Sequence, residues 1–154
     1  MFKKKIIIVI NRKKRQEIGG STMSNLTIAL FGEAEKGDYR TAYHCKTLPQ
    51  LVDYLGNPPP DSHGLYYAVQ ALLYKRELIF FRVKEEGFSD QDYYSGLRFL
   101  EKENLIAKIV AYCLPGVGDS EIINTVIPIC DQNNSIMITS EPDLYDYLTS
   151  HSEI

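Results

Sequence analysis

The chain has no tryptophan and only three cysteines, and its early apolar run is short. Cys45, Cys113 and Cys130 form no CxxC pair and show no metal-ligand spacing, so we expect free buried thiols in a reducing compartment. The apolar run Ile6–Ile10 has five residues, whereas a membrane-spanning helix needs about 20. These absences predict a cytoplasmic protein with neither a metal site nor a membrane segment.

The common sequence motifs of phosphate-binding and catalytic sites are also missing. The sequence contains neither GxxxxGK[ST] nor GxGxxG, the two common phosphate cradles, and no nucleophile elbow. His44 and Cys45 are adjacent, but neighbours on a strand point to opposite faces, so they do not form a nucleophile pair. The sequence therefore predicts no catalytic residue and no cofactor.

Charge is unevenly distributed along the chain. Residues 1–22 carry a net charge of +6, so the remainder of this −3 chain carries −9. Nucleic-acid binding needs a positive face, which an acidic body does not offer. We therefore expect protein partners rather than nucleic acid or membrane.

The basic segment 1–22 leaves three interpretations open. Ile6–Ile10 forms an added strand, or the segment is a disordered basic arm, or Met23 is the working start and the segment is not native. Extended arms are able to complete a neighbouring sheet. We expect residues 1–22 to be dispensable for folding of a single α/β domain over residues 23–154; a loss of several degrees in melting temperature on their deletion would show that Ile6–Ile10 is an integral strand.

Short apolar runs alternate with amphipathic stretches through the acidic part. The runs predict four mainly parallel strands at 28–31, 78–83, 106–113 and 135–139, with an edge strand from Ile6–Ile10 or around Ala42–Cys45. The stretches between them predict helices on both faces of the sheet. The fold class is therefore α/β, with a mostly parallel sheet of about four to five strands.

Capping signals mark where the helices begin. Thr47 and Gln50 form a capping box, and Gly56 ends the helix that follows. Further caps are expected at Asp61 or Ser62, at Ser89 and Asp92, at Asp119 or Ser120, and at Ser140. We expect the second helix to bury Leu65, Val69, Leu72 and Leu73, and the last to bury Leu144, Tyr147 and Leu148.

Two loops at strand ends are the candidate ligand site. Gly32 and Glu33 follow the first strand, and Gly116, Gly118 and Asp119 follow the third. The carboxyl ends of parallel strands are where α/β proteins bind ligands, and a helix N-terminus there is able to hold an anion. The glycines are also explained by turning alone, which we favour. Glu85, Glu86, Glu101 and Glu103 are interpreted as solvated charges.

The order of these elements resembles a known family. Phe31–Gly37, the helix ending at Tyr54-Leu55-Gly56, and a strand ending in Arg82-Val83 resemble the opening of contractile tail sheath proteins of phages and related injection machines. Gly96–Glu101, Ala111–Asp119 and Ile122–Ile136 resemble a later part of the same proteins. The resemblance covers most of Leu26–Thr139, but the insertions and C-terminal assembly domain usual in the family have no counterpart here.

The resemblance implies a function. It implies a non-enzymatic structural or interaction module that self-associates or binds a tail-like assembly, in the cytoplasm or in an assembled virion or tail-like particle. The tyrosine-rich helices (Tyr66, Tyr67, Tyr74, Tyr93, Tyr94) would supply contact area to protein partners. The alternative is a small-ligand or nucleotide-binding α/β domain, or a small hydrolase, that uses the loops at the strand carboxyl ends.

Overall fold

A computed structural model describes residues 6–10 and 27–152. This part of the chain forms one six-stranded sheet in the order β1-β6-β5-β2-β4-β3. The strands are β1 (Ile6–Ile10), β2 (Thr27–Gly32), β3 (Ala42–Cys45), β4 (Glu77–Arg82), β5 (Ile109–Cys113) and β6 (Ile136–Ser140). The predicted α/β class is confirmed, and both candidate edge strands form.

The four central strands are parallel, and the two edge strands are antiparallel to their neighbours. From β2 the chain moves outward to β4, then crosses back over β2 to β5 and continues to β6. The direction of winding therefore reverses between β2 and β5, which makes their carboxyl ends the topological switch point of the sheet.

Five helices in the described part cover the sheet unequally. They are α1 (Leu48–Leu55), α2 (Gly64–Leu73), α3 (Asp90–Lys102), α4 (Ser120–Asn133) and α5 (Glu141–Ser152). One buried cluster joins the sheet to α3 and α4, with Tyr147 of α5 packed against it. The opposite cluster draws its helical side chains, among the described residues, from α1 and α2 alone. On that face β5 and β6 are therefore less covered than β2 and β4.

Local capping chemistry is confirmed at α1 and α4. The Thr47 hydroxyl accepts the Gln50 amide, and the Gln50 side chain accepts the Thr47 amide, so the capping box is complete. The Asp119 carboxylate accepts the Glu121 amide at the start of α4. Each bond satisfies a backbone donor that the first helical turn would otherwise leave unpaired.

Other expectations about the helices are wrong. Helix α2 begins at Gly64 after His63, with a cap from neither Asp61 nor Ser62; the Ser62 hydroxyl donates to the Pro59 carbonyl instead. Ser89 precedes α3 without a side-chain capping bond. The inner face of α2 consists of Leu65, Ala68, Ala71 and Leu72, while Val69 and Leu73 are exposed. Leu148 of α5 is also exposed. Helix α2 carries apolar residues on both its inner and outer sides and no charged residue, and the face that packs on the sheet is the one with the small alanines.

The third predicted strand is shorter than expected. Residues Ile106–Lys108 form a 3-10 turn, and the strand begins at Ile109. At the far edge, β1 pairs with β6 along its full length, from Ile6 opposite Ser140 to Ile10 opposite Ile136. Residues 1–5 and 11–22 lie outside the described residues, and the dispensability of segment 1–22 stays a prediction.

Candidate functional site at the carboxyl edge of the sheet

The loops that follow β2, β4 and β5 meet at one edge of the sheet. Parallel strands bring their carboxyl ends together, so the candidate residues after β2 and after β5 approach the same crevice. The loop after β4 lies between them: a Cβ added to Gly87 would stand 2.1 Å from the Gly116 carbonyl oxygen. This loop therefore fills the crevice at the switch point.

Glu86 occupies the centre of the crevice. Its side chain is 8% exposed, and its carboxylate accepts three backbone amides: Glu33 at 2.8 Å, His63 at 2.9 Å and Gly64 at 2.9 Å. In return, the Glu86 amide donates to the Glu33 carboxylate at 2.9 Å. Glu86 thus caps α2 and ties it to the end of β2. In many α/β proteins the amides at a helix N-terminus bind a phosphate. Here the corresponding amides of α2 bind the Glu86 carboxylate.

Close backbone contact makes this arrangement possible. The backbones of Gly32 and Gly64 approach so closely that a Cβ on either residue would stand 2.9 Å from the other residue's Cα. Glycine is the residue that permits such an approach. The start of α2 therefore rests directly on the end of β2, within reach of Glu86.

The electrostatics of the crevice are acidic. Burial raises the pKa of the Glu86 carboxyl above its ordinary value, the three amide donors offset part of that rise, and the nearby Glu33 charge adds to it. The Tyr93 hydroxyl lies behind Glu86 and accepts the Gly87 amide at 2.7 Å. Burial, followed by the neighbouring acids, also raises the pKa of that hydroxyl, so it stays protonated. An incoming phosphate would meet two carboxylates rather than free donors.

The loop after β5 is closed by a second carboxylate. Asp143, in the first turn of α5, accepts the Gly116 amide at 2.9 Å and the Ser140 hydroxyl at 2.6 Å. Gly118 packs against α5, where an added Cβ would stand 2.9 Å from the Asp146 Cβ atom. Together with Asp119, which accepts the Glu121 amide at the start of α4, Asp143 occupies two backbone donors that a ligand could otherwise bind.

The loop after β2 is fastened by a buried arginine. The Arg82 guanidinium donates to the carbonyl oxygens of Ala34, at 2.9 Å, and of Gly37. Its carbon lies 4.1 Å from the centre of the Tyr39 ring. The Glu35 carboxylate accepts the Asn57 amide at 2.8 Å, which links the same loop to the end of α1. The glycine-rich loop is thus held by internal bonds.

A third carboxylate organises the outer end of the loop after β4. Asp92 accepts the Lys84 amide at 2.8 Å and the Arg40 side chain at 2.5 Å. Burial acts to raise the pKa of Asp92, but these donors together with Ser89 lower it by more, so the pKa lies below its ordinary value. Asp92 is therefore an ionised structural acceptor.

The structure brings Gly32, Glu33 and Gly116 to one crevice and places Gly118 and Asp119 at its rim. The interpretation of Glu86 as a solvated charge is wrong, because it is the buried centre of the site. The sequence offers no local signal for it, since its partners lie 22, 23 and 53 positions away. Glu85, its neighbour, is exposed as expected.

The three cysteines are free and buried, as predicted. Burial raises the pKa of Cys45 to about 11 and that of Cys130 to about 12, so both thiols are neutral and poorly nucleophilic near neutral pH. Within residues 27–149, where side chains are described, no group of three or more potential metal ligands comes together.

Comparisons with known proteins identify no relative: no protein-family model, no curated protein and no solved structure matches the chain. Within the described ranges, no helix is both long and apolar enough to cross a bilayer.

Proposed function

We propose that this chain is a non-enzymatic interaction module that associates with further copies of itself. The observation that carries the proposal is an apolar stripe on the outside of α2. Tyr66, Val69 and Leu73 are 60%, 36% and 62% exposed and follow the spacing i, i+3, i+7, which places them on one helical face. Helix α2 is thus apolar on both sides, a pattern typical of helices that are covered on both sides.

The charge distribution favours a second copy as the partner that covers this stripe. Helix α2 contains no charged residue in its ten positions, whereas residues 23–154 carry a net charge of −9. Two acidic bodies repel one another across most orientations, and an uncharged face lets them approach with the least repulsion. Tyrosine and large apolar side chains, with few charges, are typical of the centre of an interface. A twofold contact of α2 against α2 satisfies both conditions.

The crevice supports the non-enzymatic part of the proposal. Its backbone donors at the ends of β2 and β5 are bound to Glu86 and Asp143, so a nucleotide phosphate would have to displace a carboxylate. We expect ATP, GTP, NAD, flavin and coenzyme A to leave the melting temperature unchanged. A ligand at one hundred times its dissociation constant adds about 2.7 kcal/mol to stability, which is readily seen. Such a shift would favour the ligand-binding alternative.

Sedimentation velocity across a range of concentrations tests the self-association. We expect the full chain to form oligomers, and the double variant Val69→Gln, Leu73→Gln to remain monomeric with a melting temperature close to that of the parent. Val52→Gln is the matched control, because Val52 is similarly exposed but lies on α1. A parent chain that is monomeric at every concentration, or a control that dissociates as fully as the double variant, would contradict the proposal.

We further propose that the module belongs to a tail-like assembly, with its core playing the part of a sheath core domain. The resemblance over Leu26–Thr139 is the support for this step. Electron microscopy of concentrated full-length protein provides the test, because a sheath-like contact repeats into rings or filaments. If only closed dimers are seen, the proposed self-association holds but the proposed role in a tail-like assembly is contradicted.

A further inference from the structure

A groove of about 220 Å³ lies beside α2, and none of the crevice residues Gly32, Glu33, Glu86 and Gly116 lines it. Its floor is the less covered face of the sheet, and its wall is the flank of α2 that carries Tyr67, Gln70 and Tyr74. The full set of lining residues is Ile28, Leu30, Tyr67, Gln70, Ala71, Tyr74, Arg76, Cys113 and Ile138. The space equals about seven water volumes, which suits a small organic molecule.

The strand register shows which lining residues lie at each end of the groove. Leu30 is opposite Cys113, and Cys113 is opposite Ile138, so these three residues form one apolar row across the sheet. Arg76 precedes β4, four residues before Phe80, which pairs with Leu30. At about 3.3 Å per residue, Arg76 lies roughly 13 Å from that row along the strand direction. The groove is therefore elongated, with an apolar end and a cationic end.

Three polar side chains that line the groove have no hydrogen-bond partner among the described residues. The Arg76 guanidinium makes no hydrogen bond or ion pair there, in contrast to Arg40 and Arg82, which are both bound. The Gln70 amide and the Tyr67 hydroxyl are likewise without a hydrogen bond within residues 27–149. Burial, followed by nearby acids and Cys113, raises the pKa of Tyr67 to about 12, so its hydroxyl remains a donor. Arg76 thus supplies the positive charge at one end of the slot, Gln70 supplies a donor on its wall, and Tyr67 supplies a donor nearer the apolar row.

The apolar end is uncharged as well as hydrophobic. Cys113 is 4% exposed, and burial raises the pKa of its thiol well above the ordinary value. The thiol therefore behaves as a small apolar group beside Leu30 and Ile138. Pockets with an apolar lining and a few converging polar groups are typical of small-molecule sites.

We propose that this groove binds a small amphipathic carboxylate, with its apolar body on the Leu30–Cys113–Ile138 row and its carboxylate on Arg76. Arg76 pairs with a carboxylate through two parallel hydrogen bonds, while Gln70 on the wall of the groove is available as a further donor. The exposed Lys75 beside it adds positive charge to the mouth of the groove. This site is separate from the stripe of Tyr66, Val69 and Leu73, and its occupancy does not depend on self-association.

Titration of the full chain with octanoate, followed by amide chemical shifts in NMR spectra, tests the proposal. We expect saturable binding, with the largest shifts at residues of α2 and at the row on β5 and β6. Arg76→Gln should weaken octanoate binding at least about tenfold, and Arg98→Gln should leave it unchanged, because Arg98 is exposed on α3 across the sheet. 1-Octanol, which lacks the charge, should bind more weakly than octanoate and be insensitive to Arg76→Gln.

A second pair of variants fills the groove with a larger side chain and leaves the Arg76 charge in place. Ala71→Leu should abolish binding of both probes. Ile138→Phe, at a partly exposed position, should also abolish binding, and it replaces the helix variant in the test if Ala71→Leu does not fold. The Val69→Gln, Leu73→Gln double variant should keep full affinity. Absence of saturable octanoate binding, equal effects of Arg76→Gln and Arg98→Gln, or retained binding in both filled variants would overturn the proposal.

Discussion

The carboxyl-edge crevice and the groove beside α2 differ in whether their polar groups have hydrogen-bond partners within the protein. In the crevice, Glu86 and Asp143 satisfy the backbone donors that an anion would otherwise bind. In the groove, Arg76 and Gln70 have no partner within the described residues. The crevice lies at the switch point, where α/β proteins usually bind ligands, but its donors are already bound to carboxylates of the same chain. The groove beside α2 lies elsewhere, and its donors are unpaired in the described part of the chain. Removing the carboxylates of the crevice should thus cost stability, whereas replacing the side chains of Arg76 or Gln70 in the groove should not.

Removing the Glu86 carboxylate should have the largest effect. Glu86→Ala leaves one buried and two part-buried amides without their acceptor, and an unsatisfied buried donor costs about 1–3 kcal/mol, so we expect a total loss of about 3 kcal/mol. Glu85→Ala, at the exposed neighbouring position, should change stability by about 0.5 kcal/mol or less. Urea unfolding of both variants measures the difference. Equal effects would mean that the crevice is not held by Glu86.

The pH dependence of stability should follow from the raised pKa of Glu86. A carboxyl with a raised pKa binds its proton more tightly in the folded protein, so its contribution is fully present below the unfolded pKa of about 4.3 and is lost as pH rises through the folded pKa. The advantage of the parent over Glu86→Gln should therefore shrink as pH increases. Unfolding of both proteins across this range is the measurement. An advantage that grows with pH would show that the amide donors outweigh burial.

Two buried tyrosines offer a smaller and matched test. The Tyr93 hydroxyl accepts the Gly87 amide in the crevice, whereas the buried Tyr112 hydroxyl has no partner among the described residues. Tyr93→Phe should cost about 1–2 kcal/mol, because it leaves a buried amide unpaired. Tyr112→Phe should be neutral or stabilising, because it removes an unsatisfied hydroxyl from the core. Thermal unfolding compares them, and the reverse order would be inconsistent with these bonds.

The groove should show the smallest effect on stability. Arg76→Gln removes a side chain with no bonded partner in the described part of the chain, so we expect a change of about 0.5 kcal/mol or less. The backbone amide of Arg76 donates to the Ala71 carbonyl, and the substitution retains that bond. Urea unfolding checks this expectation. A loss comparable with that of Glu86→Ala would place Arg76 among the structural groups instead of the binding groups.

The features that could be predicted from the sequence are those encoded by near neighbours. The capping box of Thr47 and Gln50, the Asp119 cap and the alternation of strands with helices all depend on residues within a few positions of one another. The edge strands Ile6–Ile10 and Ala42–Cys45 were recognisable as apolar or β-prone runs, although their pairing partners were not.

The centre of the site could not be predicted, because it depends on tertiary contact. Glu86 is one of two adjacent glutamates, and only the fold decides that one is buried against α2 while the other faces solvent. The inner face could not be predicted from spacing either, because apolar residues lie on both the inner and the outer side of the uncharged helix α2. Its cap comes from Glu86, 22 positions after Gly64, so nothing local fixed the first helical residue. The groove had no sequence signature, since its lining comes from β2, α2, β5 and β6 together with Arg76.

The pairing of β1 with β6 has a consequence for the timing of folding. Ile8 is opposite Ile138, a sequence separation of 130 residues, so β1, the first of the six described strands along the chain, waits for β6, the last of them. At a translation rate of about 5–20 residues per second, this interval lasts on the order of ten seconds. During that time the run Ile6–Ile10 is an unpaired apolar strand flanked by lysines and arginines. Charges that flank an unpaired apolar run oppose its aggregation, so the lysines and arginines on either side of Ile6–Ile10 suit a strand that pairs late.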